Sequence, residues 1–326
     1  MPVALTQRPL RSPSGCYRKA IHLIVGILTR NPEAWCSNQL RRAFINLGAD
    51  VECFWFTDLV SRIAFESIVQ RDGKVDIASH LDALLIRPIG RGSLDEILYR
   101  VNTLHRLSAA GLYIVNSPRA IERCVDKYYA LSVLQANGIK VPKTAVTEDP
   151  DLALEAFSEL GGDVVLKPVF GSRGMGITRI SDYEVARRVF NLLHYHHFVL
   201  YLQEYIPHGK SDIRAFVVGG RVVAAMYRRA RGWKTNVSQG AKPVVTKLLA
   251  EQEELAIKAA NIMGCKVAGV DILESKDGLY TTEINSQPGF RGLQSVSQVN
   301  IAEEIARFMI ANVKKGALAE DYATRV

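Results

Sequence analysis

Apolar and polar positions along the chain change their period repeatedly, and each change marks an element. Ile21–Leu28 is a nearly unbroken apolar run of the kind a buried strand needs. Ser37–Leu47 then places apolar residues at helical spacing and stops at Gly48. Val51–Phe56 and Leu81–Ile86 read as further strands, the second closing in Arg87-Pro88-Ile89-Gly90. Ser93 followed by Glu96 forms a capping box that starts a helix running to about Ser108, and Leu112–Val115 is strand again. Strand and helix thus alternate over residues 20–117, which predicts a small parallel sheet with helices on its faces.

Beyond this point the texture changes. Ser117-Pro118 is a cap followed by proline at the first helical position, and Asp126 caps a second helix that ends at Gly138. Two short strands, Val164–Lys167 and Ile177–Ile180, flank the stretch Gly171-Ser172-Arg173-Gly174-Met175-Gly176. Ser181 with Glu184 predicts a capping box before a helix through Leu193. Val199–Ile206 is apolar, Ile213–Val218 and Arg221–Tyr227 alternate, Glu251–Met263 is helical, Val267–Ile284 is a hairpin, and Val299–Val313 is a last helix. The expected organisation is a tail at 1–19, an N-terminal α/β domain at 20–117, a central lobe at 118–206 and a C-terminal lobe at 207–326.

Composition narrows the class. A chain of 326 residues that is 48% hydrophobic can fill more than one core, which argues against disorder. Its apolar runs fall well below the ~20 residues that cross a bilayer, so no membrane segment is expected. The first residues carry Arg8, Arg11, Arg18 and Lys19 between Pro and Ser, and lack the cleavage pattern of an export signal. Five scattered cysteines with no C-x-x-C pair imply reduced thiols and a cytoplasmic setting. The net charge of +8 favours anionic partners without choosing among them.

Two stretches carry candidate chemistry. Glycines 171, 174 and 176 let backbone N–H groups close on phosphate oxygens, and their strand-loop-strand setting resembles a flap over nucleotide phosphates. The dinucleotide-binding spacing is absent, and Gly209-Lys210-Ser211 fails as a Walker loop because Glu204 occupies its first glycine position. Lys127 and Lys167 could supply point charges for phosphates; Lys167 ends a strongly apolar strand, where a solvated lysine is out of place. On the hairpin, period two puts Glu283 and Asn285 on one face, and a short turn brings Asp271 opposite Glu283 within about one register step. Such carboxylates repel unless a cation neutralises them, and all-oxygen ligands suit Mg2+ or Mn2+. A polar, water-facing hairpin side is the alternative; beside a phosphate flap, the metal reading is the better one.

Taken in order, Asp126-Lys127, Lys167-Pro168 with Gly171–Gly176, Gln203-Glu204-Tyr205-Ile206, Asp212-Ile213-Arg214, Arg228-Arg229, Lys234-Thr235-Asn236, Asp271, and Glu283-Ile284-Asn285 before Pro288-Gly289 form a distinctive set. The set resembles the ATP-grasp superfamily and, within it, the RimK-type glutamate ligases, over about residues 21–313. The resemblance implies an α/β plus α+β protein, with a Rossmann-like domain ahead of two lobes that clasp ATP. It implies an ATP-dependent ligase that adds L-glutamate to a carboxylate-bearing acceptor through an acyl phosphate. By position, Lys127, Lys167, Gly171, Ser172, Gly174 and Gly176 correspond to phosphate contacts. Gln203, Glu204, Tyr205 and Ile206 correspond to the adenine-reading hinge, and Asp212 to a contact near the ribose. Asp271, Glu283 and Asn285 correspond to ligands of two Mg2+ or Mn2+ ions, with Glu283 shared. Arg228 corresponds to the catalytic arginine that steadies the transferred group. Lys234, Thr235 and Asn236 match a nucleotide and substrate stretch, and Arg291 would suit an acidic acceptor.

Trp35-Cys36-Ser37, Arg87–Ser93, Ile121–Cys124 and Asn300–Ala302 look most like the branch that glutamylates pterin one-carbon cofactors such as tetrahydromethanopterin. Related branches act on a ribosomal-protein tail, a deazaflavin or methylofuran-type cofactor, or an amino-group carrier protein. The resemblance also implies a homo-oligomer, dimer or tetramer. Arg228-Arg229-Ala230-Arg231 lacks the aromatic platform of a nucleic-acid site. His194, His196 and His197 read as surface residues. A competing class is an ATP-binding regulatory protein without turnover, which the intact set Asp271, Glu283 and Asn285 disfavours.

Overall fold

The computed structural model describes residues 23–171 and 174–323, with side chains described as far as Val313. The expected tail at 1–19 and Ser172 lie outside the described residues. The first unit runs β1 (Ile24–Leu28), α1 (Trp35–Asn46), β2 (Asp50–Phe54), β3 (Leu59–Ser61), β4 (Val69–Arg71), β5 (Val75–Asp76), α2 (Ile77–His80), β6 (Ala83–Ile86), α3 (Leu94–Ala109) and β7 (Tyr113–Val115). The sheet has the order β2-β1-β6-β7 and is parallel throughout, as the alternation predicts. One face packs Val25, Ile27 and Leu85 against Leu40 and Phe44 of α1; the other packs Leu28, Leu84 and Ile86 against Leu104 and Leu107 of α3. The Ser93–Glu96 capping box forms as read. The antiparallel set β3-β4-β5 was not legible, because strands of two or three residues are too short to show alternation.

The second stretch contains α4 (Pro118–Val125), α5 (Lys127–Ala136), β8 (Thr144–Thr147), α6 (Pro150–Glu159), β9 (Val164–Lys167), β10 (Thr178–Ile180), α7 (Tyr183–Tyr195) and β11 (Leu200–Glu204). Its antiparallel sheet has the order β10-β9-β11-β8. Helices α6 and α7 cover one face, where Phe157 and Phe190 meet Val164, Leu166, Leu200 and Leu202. Period two then turns Val165, Lys167, Tyr201 and Gln203 to the opposite face. The cap of α7 differs from the expectation: Asp182, not Ser181, stands at the N-cap and accepts from the Val185 N–H at 2.9 Å. A carboxylate there also meets the positive helix end. Glu184 pairs with Arg187 instead.

The third stretch holds β12 (Ser211–Val218), β13 (Arg221–Arg229), β14 (Lys242–Val245), α8 (Ala250–Ile262), β15 (Val267–Ser275), β16 (Gly278–Asn285), α9 (Arg291–Gln294) and α10 (Ile301–Ala323). The sheet, β14-β13-β12-β15-β16, is antiparallel. Its apolar face, with Ile213, Ala215, Val270, Ile272 and Ile284, packs against α8 and also against Ala120, Leu131 and Leu134 of α4 and α5. Those two helices therefore share the core of the large sheet. Cys124 and Cys265 meet there with sulfurs 3.5 Å apart, both as free thiols. Among the described residues no helix is long and apolar enough to cross a membrane.

Candidate active site

The second face of the large sheet is charged. Cross-strand register places Arg214 beside Asp271 and Asp271 beside Glu283, while Asp212 faces Arg228. Directly paired residues share a face, so these side chains form one continuous patch. The predicted pairing of Asp271 with Glu283 is thus met in register, and Val270, Ile272 and Ile284 occupy the other side. Asn285 lies opposite Gly269 on the same hairpin. Gly269 is required there: a Cβ would sit 2.6 Å from the Arg214 guanidinium and 3.0 Å from Pro288.

The charge argument made from sequence needs one correction. Asp271 already has cations of its own: Arg214 forms an ion pair with it, and Arg228 Nη2 lies 2.9 Å from its Oδ2. Burial opposes ionisation of this carboxyl, but Arg214 and then Arg228 outweigh it and hold Asp271 below the usual carboxylate range. Arg228 is 5% exposed and binds Asp212 through a two-point fork of 2.7 and 2.5 Å. Burial works against its charge; Asp271 and Asp212 raise its pKa above the ordinary arginine value. Sequence reading missed the role of Arg214, since only register places it against an acid far along the chain.

Lys167 approaches from the facing sheet. Its Nζ donates to Gln203 Oε1 at 2.6 Å, and the Gln203 amide in turn donates to Thr144 Oγ1 and the Tyr201 hydroxyl. Burial pushes the Lys167 ammonium down to about 8, against the opposing pull of Glu283 and Asp271, while Lys127 adds repulsion. Lys127 is buried and donates to the carbonyl of Gly171 at 2.9 Å, tying the base of the glycine loop to α5. At the tip, Gly174 has φ +71°, and a Cβ there would meet Asn236 Oδ1 at 2.4 Å. Gly176 also has a positive φ. Gly174 thus lies against Asn236, while the charges of Glu283, Lys127 and Asp271 all act on Lys167. Thr235 is buried, and Lys234 Nζ lies 5.4 Å from the Trp233 ring centroid.

The segment expected to form the hinge is tied to its neighbours. Glu204 donates its N–H to Lys143 O and accepts from Lys143 N–H at 2.7 Å; Tyr205 donates to Asp163 O. The Arg179 guanidinium, itself forked onto Asp163, lies 3.5 Å from the Tyr205 ring centroid. Ile206 is buried. His208, unremarked in the sequence, is buried beside the hinge with Nε2 3.0 Å from Trp233 O, and its Nδ1 has no partner among the described residues. Burial lowers its pKa, against the pull of Asp212. Arg291 is exposed at the start of α9, and His194, His196 and His197 are exposed.

The residues fit a divalent cation. Asp271 Oδ1 faces the Arg214 guanidinium and Oδ2 faces Arg228, whereas Glu283, its neighbour in register, has no ion pair among the described residues and is the carboxylate left to meet a cation. No cluster of three His, Cys, Asp or Glu side chains occurs among those residues, so the protein offers two carboxylates and the Asn285 amide. A sparse oxygen set completed by phosphate and water is how Mg2+ is usually held.

The chain is similar to known proteins in sequence and in fold. A family model described as a RimK-like ATP-grasp domain matches residues 124–309. A tetrahydromethanopterin:alpha-L-glutamate ligase of Methanosarcina acetivorans is 33% identical over 87% of this chain and 98% of its own length. A probable alpha-L-glutamate ligase of Legionella pneumophila is 34% identical over 72% of this chain and 78% of its own. Among solved structures, the ATP-grasp ligase PsnB, complexed with precursor, Mg and ADP, shares the fold at TM-score 0.69 and 20% identity, covering 89% of this chain and 98% of that one. A RimK domain protein from Sphaerobacter thermophilus does so at TM-score 0.68 and 21% identity, over 88% and 99%. On the extent of these matches, the chain belongs to the RimK-like ATP-grasp family.

Proposed function

We propose that the chain is an ATP-dependent ligase that joins L-glutamate to a carboxylate-bearing acceptor through an acyl phosphate, the acceptor being a pterin one-carbon cofactor. The observation that carries the chemistry is that Asp271 and Glu283, paired in register, act on Lys167, the residue that ends the strand leading into the glycine loop. Relatives named for tetrahydromethanopterin support the acceptor class.

A free carboxylate is a poor electrophile, because its charge repels an amine and no good leaving group is present. Its oxygen attacks the γ-phosphorus of ATP and ADP departs. The glutamate nitrogen then attacks the acyl carbon, phosphate leaves with the oxygen, and the amine loses a proton. Lys167 and Lys127 meet the phosphates as point charges, with the loop N–H groups above them. Gln203 orients Lys167. Arg228, fixed by Asp212, presents a cation that cannot swing away as charge moves. Mg2+ or Mn2+, two ions in the full reading, would be held by Asp271, Glu283 and Asn285 and would neutralise phosphoryl charge.

The test is ADP release that depends on both L-glutamate and an acceptor, followed by product mass across a panel of acidic cofactors. ATP binding without ADP formation under any acceptor would overturn the reading. Glu283→Ala should abolish ADP formation while its circular dichroism and melting temperature stay near wild type.

A further inference from the structure

Arg87 follows β6 at the carboxyl end of the parallel sheet, the end at which open α/β sheets hold ligands. It is 8% exposed, and its guanidinium makes one hydrogen bond, from Nη1 to the Pro288 carbonyl at 3.2 Å. Two other arginines are buried as deeply among the described residues, and both have acids: Arg100 pairs with Glu96, and Arg228 with Asp212 and Asp271. No carboxylate among the described residues pairs with Arg87. A guanidinium cannot shed its proton to escape burial, so the uncompensated charge calls for an anion from outside the chain.

The surroundings specify where that anion sits. Pro288 follows Asn285 by three residues, and Gln287 Nε2 donates back to the Arg87 carbonyl at 3.1 Å. Arg87 is thereby fixed to the segment that continues the acidic strand β16. Cys36, in the first turn of α1, lies close enough to influence its charge, and that turn contains no acidic residue and no side-chain cap. Trp35 packs edge-on against Phe290 at 5.6 Å and walls the same corner. Lys127 and Lys167, the candidate phosphate contacts, belong to other elements, α5 and β9.

We propose that Arg87 binds a substrate carboxylate and so determines specificity for an acidic substrate, through the planar fork that matches a carboxylate at two points. The inference rests on the ligase reading above. The carboxylate comes from L-glutamate or from the acceptor, and the assay separates the two.

Arg87→Gln keeps a donor for Pro288 and removes the charge. KM is measured for L-glutamate, for tetrahydromethanopterin as acceptor probe, and for ATP, alongside melting temperature. The expected result is a rise of about 10–100-fold in KM for one of the first two, with ATP unchanged and melting retained; the KM that rises names the source. Arg87→Lys should recover part of the loss. If Arg87→Gln does not fold, Arg87→Lys alone should still raise the same KM. The proposal is overturned if both carboxylate KM values stay within about twofold, or if all three worsen together with a fall in melting temperature, the mark of a latch between segments. Wild type that releases no ADP overturns the ligase reading instead. In that event calorimetric binding of L-glutamate, glutarate and tetrahydromethanopterin to wild type and variant decides Arg87, and equal binding of all three by both proteins rejects it.

Discussion

Lys167 shows how far single residues could be read. Its position at the end of an apolar strand marked it out, and the structure adds what sets its charge: burial, the Gln203 contact, and acids from another sheet. With its pKa lowered to about 8, the free protein holds a proton on Lys167 at neutral pH and loses it as pH rises through that value. Bound phosphate favours the charged form, so nucleotide binding takes up a proton above pH 8 and weakens as pH climbs. Titration of a non-hydrolysable ATP analogue from pH 7 to 9 should show affinity falling by up to about tenfold per unit above 8. Lys167→Met should bind more weakly and lose that slope. The arginine partners of Asp271 were illegible for a simple reason. Arg214 is 57 residues away in sequence, and its pairing exists only through strand register.

Among the elements, the hairpin of β15 and β16 was the most readable, because period two and a short turn fix which residues oppose. A bulge after Asp271, which leaves Thr282 without a register partner, preserves the Asp271–Glu283 pair while shifting the rest. The glycine loop was readable as a connection between two short strands, but the contact of Gly174 with Asn236 was not. Gly174 combines a left-handed backbone with contact against Asn236, so two separate penalties fall on one added methyl. Gly174→Ala should therefore raise KM for ATP roughly tenfold, with little change in melting temperature, because the loop tip lies outside the four hydrophobic cores. Gly171→Ala, at a residue of ordinary φ with Pro168 as its near neighbour, should do less, and comparing KM for the two variants checks the assignment. Strands β3 to β5 and β14 escaped the sequence reading because short or exposed strands carry no pattern of their own.

At the scale of the molecule, the order of units along the chain could be read, but the way they share cores could not. Helices α4 and α5 follow the first unit in sequence and pack on the large sheet, and α10 returns to cover α1. The joint that holds this together is Asn116, 2% exposed just after β7. Its amide donates to the carbonyls of Val267 and Ser286, and its oxygen accepts from the N–H groups of Lys266 and Val267 at 2.7 and 2.9 Å. All four hydrogen-bonding positions of one side chain are thus filled by the backbone around β15 and β16. Asn116→Ala would strand four backbone polar groups, three of them buried and each of those costing about 1 kcal/mol or more, so a loss of roughly 3–5 kcal/mol is expected. Asn116→Asp keeps the acceptor but turns a second oxygen on two carbonyls, and should fare no better at neutral pH. The tryptophans make the outcome visible: Trp35 and Trp55 lie in the first unit, and Trp233 lies beside the hinge. Urea unfolding should move to lower midpoint in both variants, with the first-unit fluorescence changing ahead of Trp233. A single unshifted transition would show that the apolar cores, not this amide, join the units.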